Sequence, residues 1–515
     1  MRKLATLLIA AGLVLGMAPK ADAIDFKAKG NWMMDFEVGN NGGFTDNTGY
    51  NGKEDQFEAK QRVRLWLDAV ASENLSGQVY FEIGKTTWGK AEGSGALGAD
   101  DTCIKVRRAF IDWMIPETDV KVRMGIQGMA LPSYTMGKSQ IFEDDVAGIT
   151  VSANINENVG VTAFWARPYN DNYNGKYNDG SNDANFMDNI DAFGLLIPLS
   201  FDGVKITPYG TIAAIGPNAF RKWTKHSDGS FTNDNFGNTT GTSVAQMAHG
   251  LLPAWGVVGS NGQSVKNLKN DEYATAWWAG VTADITAADP FRIAFDVMGG
   301  GVSWDNSRMN RAGWLAALLL EYKTDFGIPG LVAWYASGDD DDLGNGSERM
   351  PYLSVSNGDN DFSNYAFDGN KYIAREGAIG SSMAGTWGVG LRMKDVSFVE
   401  NLKHTLRVNY IGGTNDPGIL KKLYRMGAAY QFPVNKAAVG VDNLYMTQGD
   451  SALEIGLSNE YKMYENFTIG LDASYIAMWM SDDKYGGIKK QLSGVSTKHD
   501  VRDAWNVSVS FAYQF

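Results

Sequence analysis

Apolar and polar side chains alternate strictly over the last residues of the chain. Every second residue from Trp505 to Phe515 is aromatic or valine, and those between are Asn, Ser, Ala or Gln. Because successive side chains of an extended strand point to opposite faces, this pattern predicts a strand with one apolar and one polar face. The same alternation runs from Phe26 to Val38 near the start of the chain. At thirteen residues, this strand is longer than most globular strands.

Two kinds of connection alternate between the segments that carry this pattern. Short connections lie at 72–74, 116–119, 156–158, 202–203, 287–290, 326–329, 399–403 and 465–466. Long connections lie at 39–56, 85–104, 128–146, 168–189, 216–272, 301–311, 338–382, 412–450 and 481–503. Strict alternation is typical of an antiparallel barrel with short turns at one end and long loops at the other, whereas a sandwich mixes both kinds at both ends.

These connections predict eighteen strands, an even number, as a barrel with both termini at one end requires. The strands lie near 26–38, 57–71, 75–85, 105–115, 120–128, 147–155, 159–167, 190–201, 204–215, 273–286, 291–300, 312–325, 330–337, 383–397, 404–411, 451–463, 467–480 and 504–515. One stretch, 421–450, leaves the count open. A hairpin of 423–432 with 437–446 would give twenty strands, and the failure of two weak strands would give sixteen. Residues 415–417, Asn-Asp-Pro, resemble a helix start.

The predicted fold class is therefore all-β: a transmembrane antiparallel β-barrel of 18 strands, with short periplasmic turns and long outer loops. Mean hydropathy is −0.25, as expected when lipid-facing and water-facing residues alternate. A barrel of this size is too wide for its own side chains to fill, and it leaves an aqueous channel. Strand number thus indicates a pore for small hydrophilic solutes and ions.

The first residues have the form of a secretory signal peptide. Arg2 and Lys3 precede an apolar run that ends in an Ala21-Asp22-Ala23 site. We predict cleavage after Ala23, which leaves a single barrel domain over residues 24–515. Removing three basic residues and one acidic residue changes the counts from 46 and 59 to 43 and 58, so the net charge becomes −15. An acidic exported chain argues against nucleic acid as a partner, and the single cysteine, Cys103, excludes an internal disulfide.

Charged residues suggest a constriction near the third long loop. Basic residues of the first five strands fall on the predicted lumen side, with Arg107 as the alternative to Arg108, and acidic residues lie near the end of the loop at 128–146. If that loop folds into the lumen, opposed charges would create a transverse field that sets ion preference. Solvated strand faces and a charged surface loop are the competing interpretation. The candidate residues are Lys27, Lys29, Lys60, Arg62, Arg64, Arg108, Lys121 and Arg123 on the basic wall, and Glu143, Asp144 and Asp145 on the acidic loop.

Several segments resemble the outer-membrane homotrimeric porins of sulfate-reducing bacteria. They are KGNWMMDF at 29–36, QRVRLW at 61–66, AFIDWMIP at 109–116, VKVRMG at 120–125, YENF at 464–467 and the aromatic carboxyl end. The resemblance covers essentially the whole mature chain. It implies a homotrimer in contact with outer-membrane lipid and lipopolysaccharide, and recognition by the barrel-assembly machinery through the strand that ends in Phe515. General porins carry a Pro-Glu-Phe-Gly-Gly signature in the third loop, where this chain has Leu131-Pro132-Ser133.

Other constellations are weaker. Asp339, Asp340, Asp341 and Asp342 are calcium candidates without EF-hand spacing, and an acidic solvated loop is the alternative. The four histidines are scattered and no catalytic motif occurs, so we expect neither a metal site, a cofactor nor an enzyme. Trp66 and Tyr80 face the predicted lumen and would suit a sugar-selective or other substrate-selective channel. A surface adhesin built on the long loops is a further alternative.

Overall fold

The computed structural model is a closed antiparallel β-barrel. It describes residues 24–40, 56–90, 95–98, 104–170, 189–217, 219–225, 231–236, 242–254, 272–355, 360–367, 377–419, 422, 445–480 and 503–515. The predicted signal peptide at 1–23 and Cys103 lie outside these ranges, as do His226, His499 and residues 423–444 of the alternative hairpin.

The described part of the chain contains twenty-one strands, one α-helix and a short helical segment at 417–419. The strands are β1 (Asp25–Gly39), β2 (Gln56–Ser72), β3 (Leu75–Thr87), β4 (Ile104–Met114), β5 (Lys121–Ala130), β6 (Glu143–Asn154), β7 (Gly160–Tyr169), β8 (Ile190–Leu196), β9 (Leu199–Phe201), β10 (Val204–Ile215), β11 (Arg221–Lys225), β12 (Phe231–Phe236), β13 (Ala274–Ile285), β14 (Phe291–Ser303), β15 (Arg311–Tyr322), β16 (Ile328–Ala336), β17 (Thr386–Val399), β18 (Leu402–Gly413), β19 (Ser451–Tyr464), β20 (Phe467–Trp479) and β21 (Ala504–Gln514). Helix α1 spans Thr242–Leu251, and a 3-10 turn spans Ser307–Met309.

The barrel wall has eighteen strands, as predicted, when β8 and β9 are counted as one interrupted strand. Apart from β11 and β12, which form a separate hairpin, each strand pairs antiparallel with the adjacent wall strands in chain order, and β1 closes the cylinder by pairing with β2 and β21. Because β8 and β9 both pair with β10, they are two parts of one interrupted strand of the wall. The break at Ile197 and Pro198 corrects the continuous strand expected at 190–201, since proline has no N–H to donate to a ladder. Since β18 pairs directly with β19, no hairpin lies between them in the wall.

All eight predicted short connections join neighbouring strands at one end of the barrel. The chain termini meet at the same end, where Gly30 N donates to Phe515 O over 2.8 Å. The predicted helix start at 415–417 is also confirmed, because residues 417–419 are helical and Asp416 Oδ1 accepts from Gly418 N over 2.6 Å.

The outward face is apolar and exposed, with aromatic side chains concentrated near both ends of the strands. The set near the short turns includes Phe291, Tyr322, Phe326 and Tyr464, and the set near the long loops includes Trp277, Trp314, Tyr335 and Trp479. Two aromatic girdles around an apolar band are the pattern of a transmembrane barrel. No helix in the described ranges is long and apolar enough to cross a membrane.

Three inserted segments occupy the lumen at the long-loop end. Residues 131–142, between β5 and β6, are termed loop A, and the described parts of the β16–β17 connection (337–355, 360–367 and 377–385) are termed loop B. The third is α1, in the β10–β13 connection, which also carries the β11–β12 hairpin. Buried apolar side chains from all three join one cluster with wall residues such as Trp278, Leu315 and Trp334. The prediction that the third loop folds into the lumen is confirmed.

Candidate pore lining and constriction

The inward faces of β1 and β2 carry the basic residues that the sequence placed there. Lys27 and Lys29 lie near the short-turn end, and their side chains are 66% and 62% exposed. Lys60, Arg62 and Arg64 follow along β2 and are mostly covered, with Arg62 almost completely buried. The basic row therefore runs from the open end of the lumen into its packed end.

The carboxylate of Glu82 on β3 forms ion pairs with the arginines of this region. Arg64 Nε and Arg107 Nη1 each donate to Glu82 Oε2 over 3.2 Å, and Arg62 Nη1 lies 3.9 Å from the same oxygen. One buried carboxylate is thus shared by three arginines. Sequence analysis did not select Glu82 as a candidate, although the alternating pattern of β3 predicts that its side chain faces the lumen.

A β-bulge on β4 decides how its two arginines are placed. Tyr80 pairs with Arg108 and the next residue, Phe81, pairs with Val106, so Arg107 is the extra residue. The sequence left Arg107 and Arg108 as alternatives for the lumen. The bulge brings both to the same carboxylate, Asp145 on β6, with Nε to Oδ distances of 2.8 and 2.5 Å.

These two arginines fill a seam where β4 and β5 separate. The pairing of the two strands runs from Met114 to Ala109 on β4 and ends at Ala109 opposite Ile126. Above that level, among the residues that the structure describes, β5 pairs with β6 alone, and Gly128 lies opposite Asp145. The Arg108 guanidinium packs against Gly128 so closely that a Cβ there would lie 2.6 Å from Cζ. Side-chain ion pairs therefore replace the backbone ladder between β4 and β5 at this end.

The three acidic candidates lie on β6 and not in the preceding loop, which corrects the expected boundary. β6 begins at Glu143, because β5 and β6 continue to pair up to Ala130 opposite Glu143. Glu143 accepts from Ser139 N over 2.9 Å, and Asp144 accepts from Ser354 Oγ over 2.8 Å. With Asp145 bound directly to arginines, the three carboxylates contact neighbouring groups and do not face the basic wall across a gap. Their role in a constriction stays a prediction.

Trp66 and Tyr80 stack on the lumen side of β2 and β3. Their ring centroids are 4.5 Å apart and the planes differ by 7°. The Cζ atoms of Arg64, Arg107 and Arg108 lie 5.5–5.8 Å from the Tyr80 centroid, within cation–π range. The aromatic pair and the arginines therefore form one polarised surface.

Lys121 and Arg123 form a separate group nearer the short turns. Arg123 binds Asp112 through Nε and Nη2, over 2.6 and 2.8 Å, and stacks 4.0 Å above Phe110. Lys121 Nζ lies 2.9 Å from the same carboxylate. These two cations line a pocket with Gln127, Thr150 and Phe164.

Asp296 on β14 anchors loop A. Its carboxylate accepts from Ser133 Oγ over 2.7 Å, from the backbone N of Tyr134 and Thr135 over 3.1 Å each, and from the Thr135 hydroxyl. The Thr282 hydroxyl on β13 is a further donor. Loop A therefore crosses the lumen from β5 to a buried carboxylate on β14. The inward aspartate, in a strand whose only other charged residue is Arg292, was the signal that sequence reasoning missed.

Glu454 on β19 anchors loop B in the same way. Its Oε1 accepts from Ser363 Oγ and from the backbone N of Asn364, Tyr365 and Ala366 over 2.7–3.1 Å. The other oxygen, Oε2, accepts from Asn409 over 2.8 Å. The side chain is fully buried, so the donors replace the water that a carboxylate requires.

Arg311 joins the inserted segments to each other. It donates to His249 O and Leu252 O at the end of α1, over 2.6 and 3.2 Å, and to Arg349 O and Met350 O of loop B, over 3.0 and 2.8 Å. A cation at the carboxyl end of a helix satisfies carbonyls that have no partner within the helix. One side chain thus fixes α1 against loop B.

The calcium candidates in loop B contact residues of the same loop and of the β18–β19 connection. Asp339 accepts from Ser347 Oγ and from the Tyr445 hydroxyl, and Asp340 Oδ1 accepts from Asp342 N over 2.7 Å. Asp341 pairs with Lys422 over 3.1 Å. No group of three His, Cys, Asp or Glu side chains suited to a metal occurs among the described residues.

Two loop groups at this site have shifted pKa values. Burial, reinforced by the Asp340 and Asp339 carboxylates, raises the pKa of Glu348 above its ordinary value. Burial and the adjacent Asp339 raise the pKa of Tyr445 well above its ordinary value. Tyr445 therefore stays protonated and keeps its hydrogen bond to Asp339.

No family model and no curated protein matches the sequence. Among solved structures, OpdQ of Pseudomonas aeruginosa aligns at 10% identity over 95% of this chain and 98% of its own, with a TM-score of 0.49. OccAB3 of Acinetobacter baumannii aligns at 11% identity over 95% and 100%, also with a TM-score of 0.49. A BenF-like porin of Pseudomonas fluorescens aligns at 9% identity over 95% and 98%, with a TM-score of 0.48.

Proposed function

We propose that this protein is an outer-membrane porin, through which small hydrophilic solutes and ions diffuse passively. The observation that carries the proposal is the closed eighteen-stranded barrel with an apolar exterior and a charged interior. Closure pairs the strand edges around the barrel, and ion pairs span the β4–β5 seam, so that polar groups are satisfied as strands in lipid require. A cylinder of this size leaves a water-filled lumen.

The inserted segments limit the size of the solutes. Loop A, loop B and α1 narrow the long-loop end, whereas Lys27 and Lys29 remain largely exposed toward the short turns. We therefore propose a wide short-turn vestibule that leads to a restricted passage.

Charges at the restricted level favour anions. Four arginines, at 62, 64, 107 and 108, face two carboxylates, Glu82 and Asp145, in this cluster. The excess of two positive charges would attract anions and repel cations within the Debye length, about 8 Å at physiological salt. The acidic net charge of the whole chain does not oppose this, because permeation depends on charge near the path.

The membrane setting and assembly follow from the resemblance to the porins of sulfate-reducing bacteria. We propose export by the signal peptide at 1–23, insertion through the strand that ends in Phe515, and a homotrimer surrounded by lipid and lipopolysaccharide. Crosslinking of the detergent-purified protein, followed by mass measurement, tests the trimer.

A second candidate is a substrate-selective channel, favoured by the Trp66–Tyr80 stack beside the arginines. Planar-bilayer recording separates the two candidates. A general porin gives an ohmic conductance that no single sugar or organic anion blocks, whereas a selective channel is blocked by its substrate at low concentration. A folded, inserted protein without conductance would overturn both.

A further inference from the structure

The outward face of the barrel carries an ion pair on β7 and β8. Trp165 pairs with Phe193, which is 48% exposed on that face. Because side chains two residues apart on a strand share a face, Arg167 and Asp191 also point outward. Arg167 binds the Asp191 carboxylate through Nε and Nη2, over 2.8 and 3.1 Å. A charged pair therefore lies in a face that is mostly apolar.

This ion pair lies at the height of the aromatic girdle near the long loops. Trp314 and Tyr335 of that girdle lie eight and seven residues from the short-turn ends of β15 and β16. Arg167 lies seven residues from the short-turn end of β7. Aromatic girdles mark the levels at which the hydrocarbon band meets the lipid headgroups. The Arg167 guanidinium therefore lies at the headgroup level of the leaflet on the long-loop side.

Further guanidinium groups reach the same face through the β4–β5 seam. Alternation along β6 places Asp145 in the outward row, opposite Gly128 on β5. The Arg108 guanidinium lies where a Cβ of Gly128 would project, and its Nε binds Asp145 over 2.5 Å. Arg107 crosses the wall, because its Nη1 binds the lumen residue Glu82 over 3.2 Å and its Nη2 binds Asp145 over 2.6 Å. The seam thus brings two arginines to the outward face.

These five residues form a patch whose cations are exposed and whose anions are covered. The side chains of Asp145 and Asp191 are each 11% exposed, whereas those of Arg107, Arg108 and Arg167 are 31%, 37% and 39% exposed. Arg167 and Asp145 are diagonal neighbours on β7 and β6, and such neighbours are about 7–8 Å apart. One continuous surface, termed the outward arginine patch, therefore presents three guanidinium groups over two covered carboxylates.

An anionic lipid fits the chemistry of this sector at two levels. Guanidinium groups bind phosphate through paired, charge-assisted hydrogen bonds. Nearer the short turns, β8 and β10 expose Phe193, Leu195 and Ile212, at 48%, 46% and 57%. An arginine on a lipid-facing wall is costly within the hydrocarbon and tolerated near the headgroups. A lipid phosphate at this level would supply the counter-charge that the exposed arginines attract.

We propose that the outward arginine patch binds the phosphate of an anionic outer-leaflet lipid, whose acyl chains lie on the apolar residues of β8 and β10 below it. The inference rests on the outer-membrane setting of the proposed function. Lipid is the occupant that the geometry favours, because its phosphate and acyl chains follow each other along the membrane normal in the same order as the guanidinium groups and the apolar side chains. A second copy of this chain is the competing occupant.

Lipid A in detergent micelles is the probe, because it is a disaccharide that carries both phosphate groups and acyl chains. Native mass spectrometry of the purified protein counts bound lipid A during a titration. Arg167→Gln should bind lipid A roughly tenfold more weakly, because one charge-assisted contact to phosphate is lost. Lys403→Gln is the control, since it removes an exposed positive charge at the short-turn end. Arg167→Lys should recover part of the affinity, which separates lost charge from lost packing.

Binding to the wild-type protein separates the possible sources of the ligand and does not depend on any variant. Lipid A should bind more tightly than phosphatidylcholine, and inorganic phosphate in excess should not displace it. Equal binding of the two lipids, or displacement by inorganic phosphate, would overturn the proposal. Equal affinities of Arg167→Gln and Lys403→Gln would also overturn it, once the different migration of unheated and heated protein on gels has verified that both variants are folded.

Photo-crosslinking decides between lipid and a second subunit. Phe193→Cys in a Cys103→Ser background, labelled with a benzophenone maleimide, should crosslink to lipid A in micelles. Crosslinking to another copy of the chain instead would overturn the lipid site. Folded Arg167→Gln should conduct with the reversal potential of the wild type, because Arg167 faces away from the lumen. A barrel that binds lipid A but does not conduct would contradict the porin proposal and leave the lipid site standing.

Discussion

Arg107 donates to Asp145 across the seam where β4 and β5 have stopped pairing, with 2.8 Å between Nε and Oδ2. In a membrane barrel, a gap in the backbone ladder must be closed by other polar groups, because lipid offers none. Arg107 and Arg108 supply the donors and Asp145 the acceptor. Residues that the sequence assigned to a constriction therefore complete the wall through direct ion pairs.

Replacing Asp145 by Ala should weaken the wall at this seam. The carboxylate is largely buried and the arginines are only partly exposed, so we expect a loss of about 1–3 kcal/mol, between the values for surface and buried pairs. The reversal potential should also move further toward anions, since two guanidiniums lose their shared counter-charge. Thermal unfolding and salt-gradient recording measure the two effects. Asp119→Ala, in an exposed short turn, is the control, and identical behaviour of the two variants would contradict the assignment.

Replacing Asp296 by Ala should release loop A. The change leaves donors from Ser133, Tyr134, Thr135 and Thr282 without their acceptor, and each unsatisfied buried donor costs about 1–3 kcal/mol. We expect a larger and noisier single-channel current, because loop A then fluctuates in the lumen. Asp325→Ala, in the exposed turn after β15, is the control, because it removes a carboxylate away from loop A. A quiet, unchanged current in Asp296→Ala would show that loop A is held by its apolar contacts alone.

Replacing Glu454 by Ala should detach the part of loop B at 360–367. Four donors of that segment, including the backbone N of Tyr365, converge on one oxygen. Protease added from the long-loop side should cut this segment at least tenfold faster, which corresponds to about 1.4 kcal/mol of lost local stability. Glu460→Ala, on the same strand, is the comparison. Equal cleavage rates would rule out the anchoring role.

The raised pKa of Glu348 predicts a pH dependence of loop B. A carboxyl group whose pKa is higher in the folded than in the unfolded state takes up protons on folding, so its contribution to stability grows as pH falls through the raised value. Proteolysis of loop B should therefore be slower at mildly acidic than at neutral pH. Glu348→Gln should slow it at neutral pH and flatten the dependence, whereas the exposed-turn variant Glu400→Gln should not. A steeper dependence in Glu348→Gln would contradict this account.

The barrel was predictable because its determinants are local. Alternation along each strand, as from Trp505 to Phe515, reports which face meets lipid, and the eight short turns lie where polar residues interrupt it. The inward position of Lys60, Arg62 and Arg64 followed from the same period of two. The break at Pro198 is a local signal as well, and it was overlooked.

The lumen was not predictable to the same depth, because its contacts are distant in sequence. Thr135 and Asp296 are 161 residues apart, and Ser354 and Asp144 are 210 apart. The sequence of a loop does not indicate which inward-facing carboxylate on the barrel wall the loop will contact. The Arg107 bulge was similarly hidden, since a single extra residue on β4 moves two arginines toward Asp145 without changing the composition of the strand.

Reversal potential in a salt gradient, recorded from the purified wild-type protein in a planar bilayer, tests the central claim most directly. The account predicts stepwise, ohmic conductance and a reversal potential of the sign that indicates anion preference, set by the arginines at 62, 64, 107 and 108. An inserted barrel that does not conduct would contradict the pore. A conducting barrel that prefers cations would contradict the assignment of the arginine cluster as the surface that solutes pass.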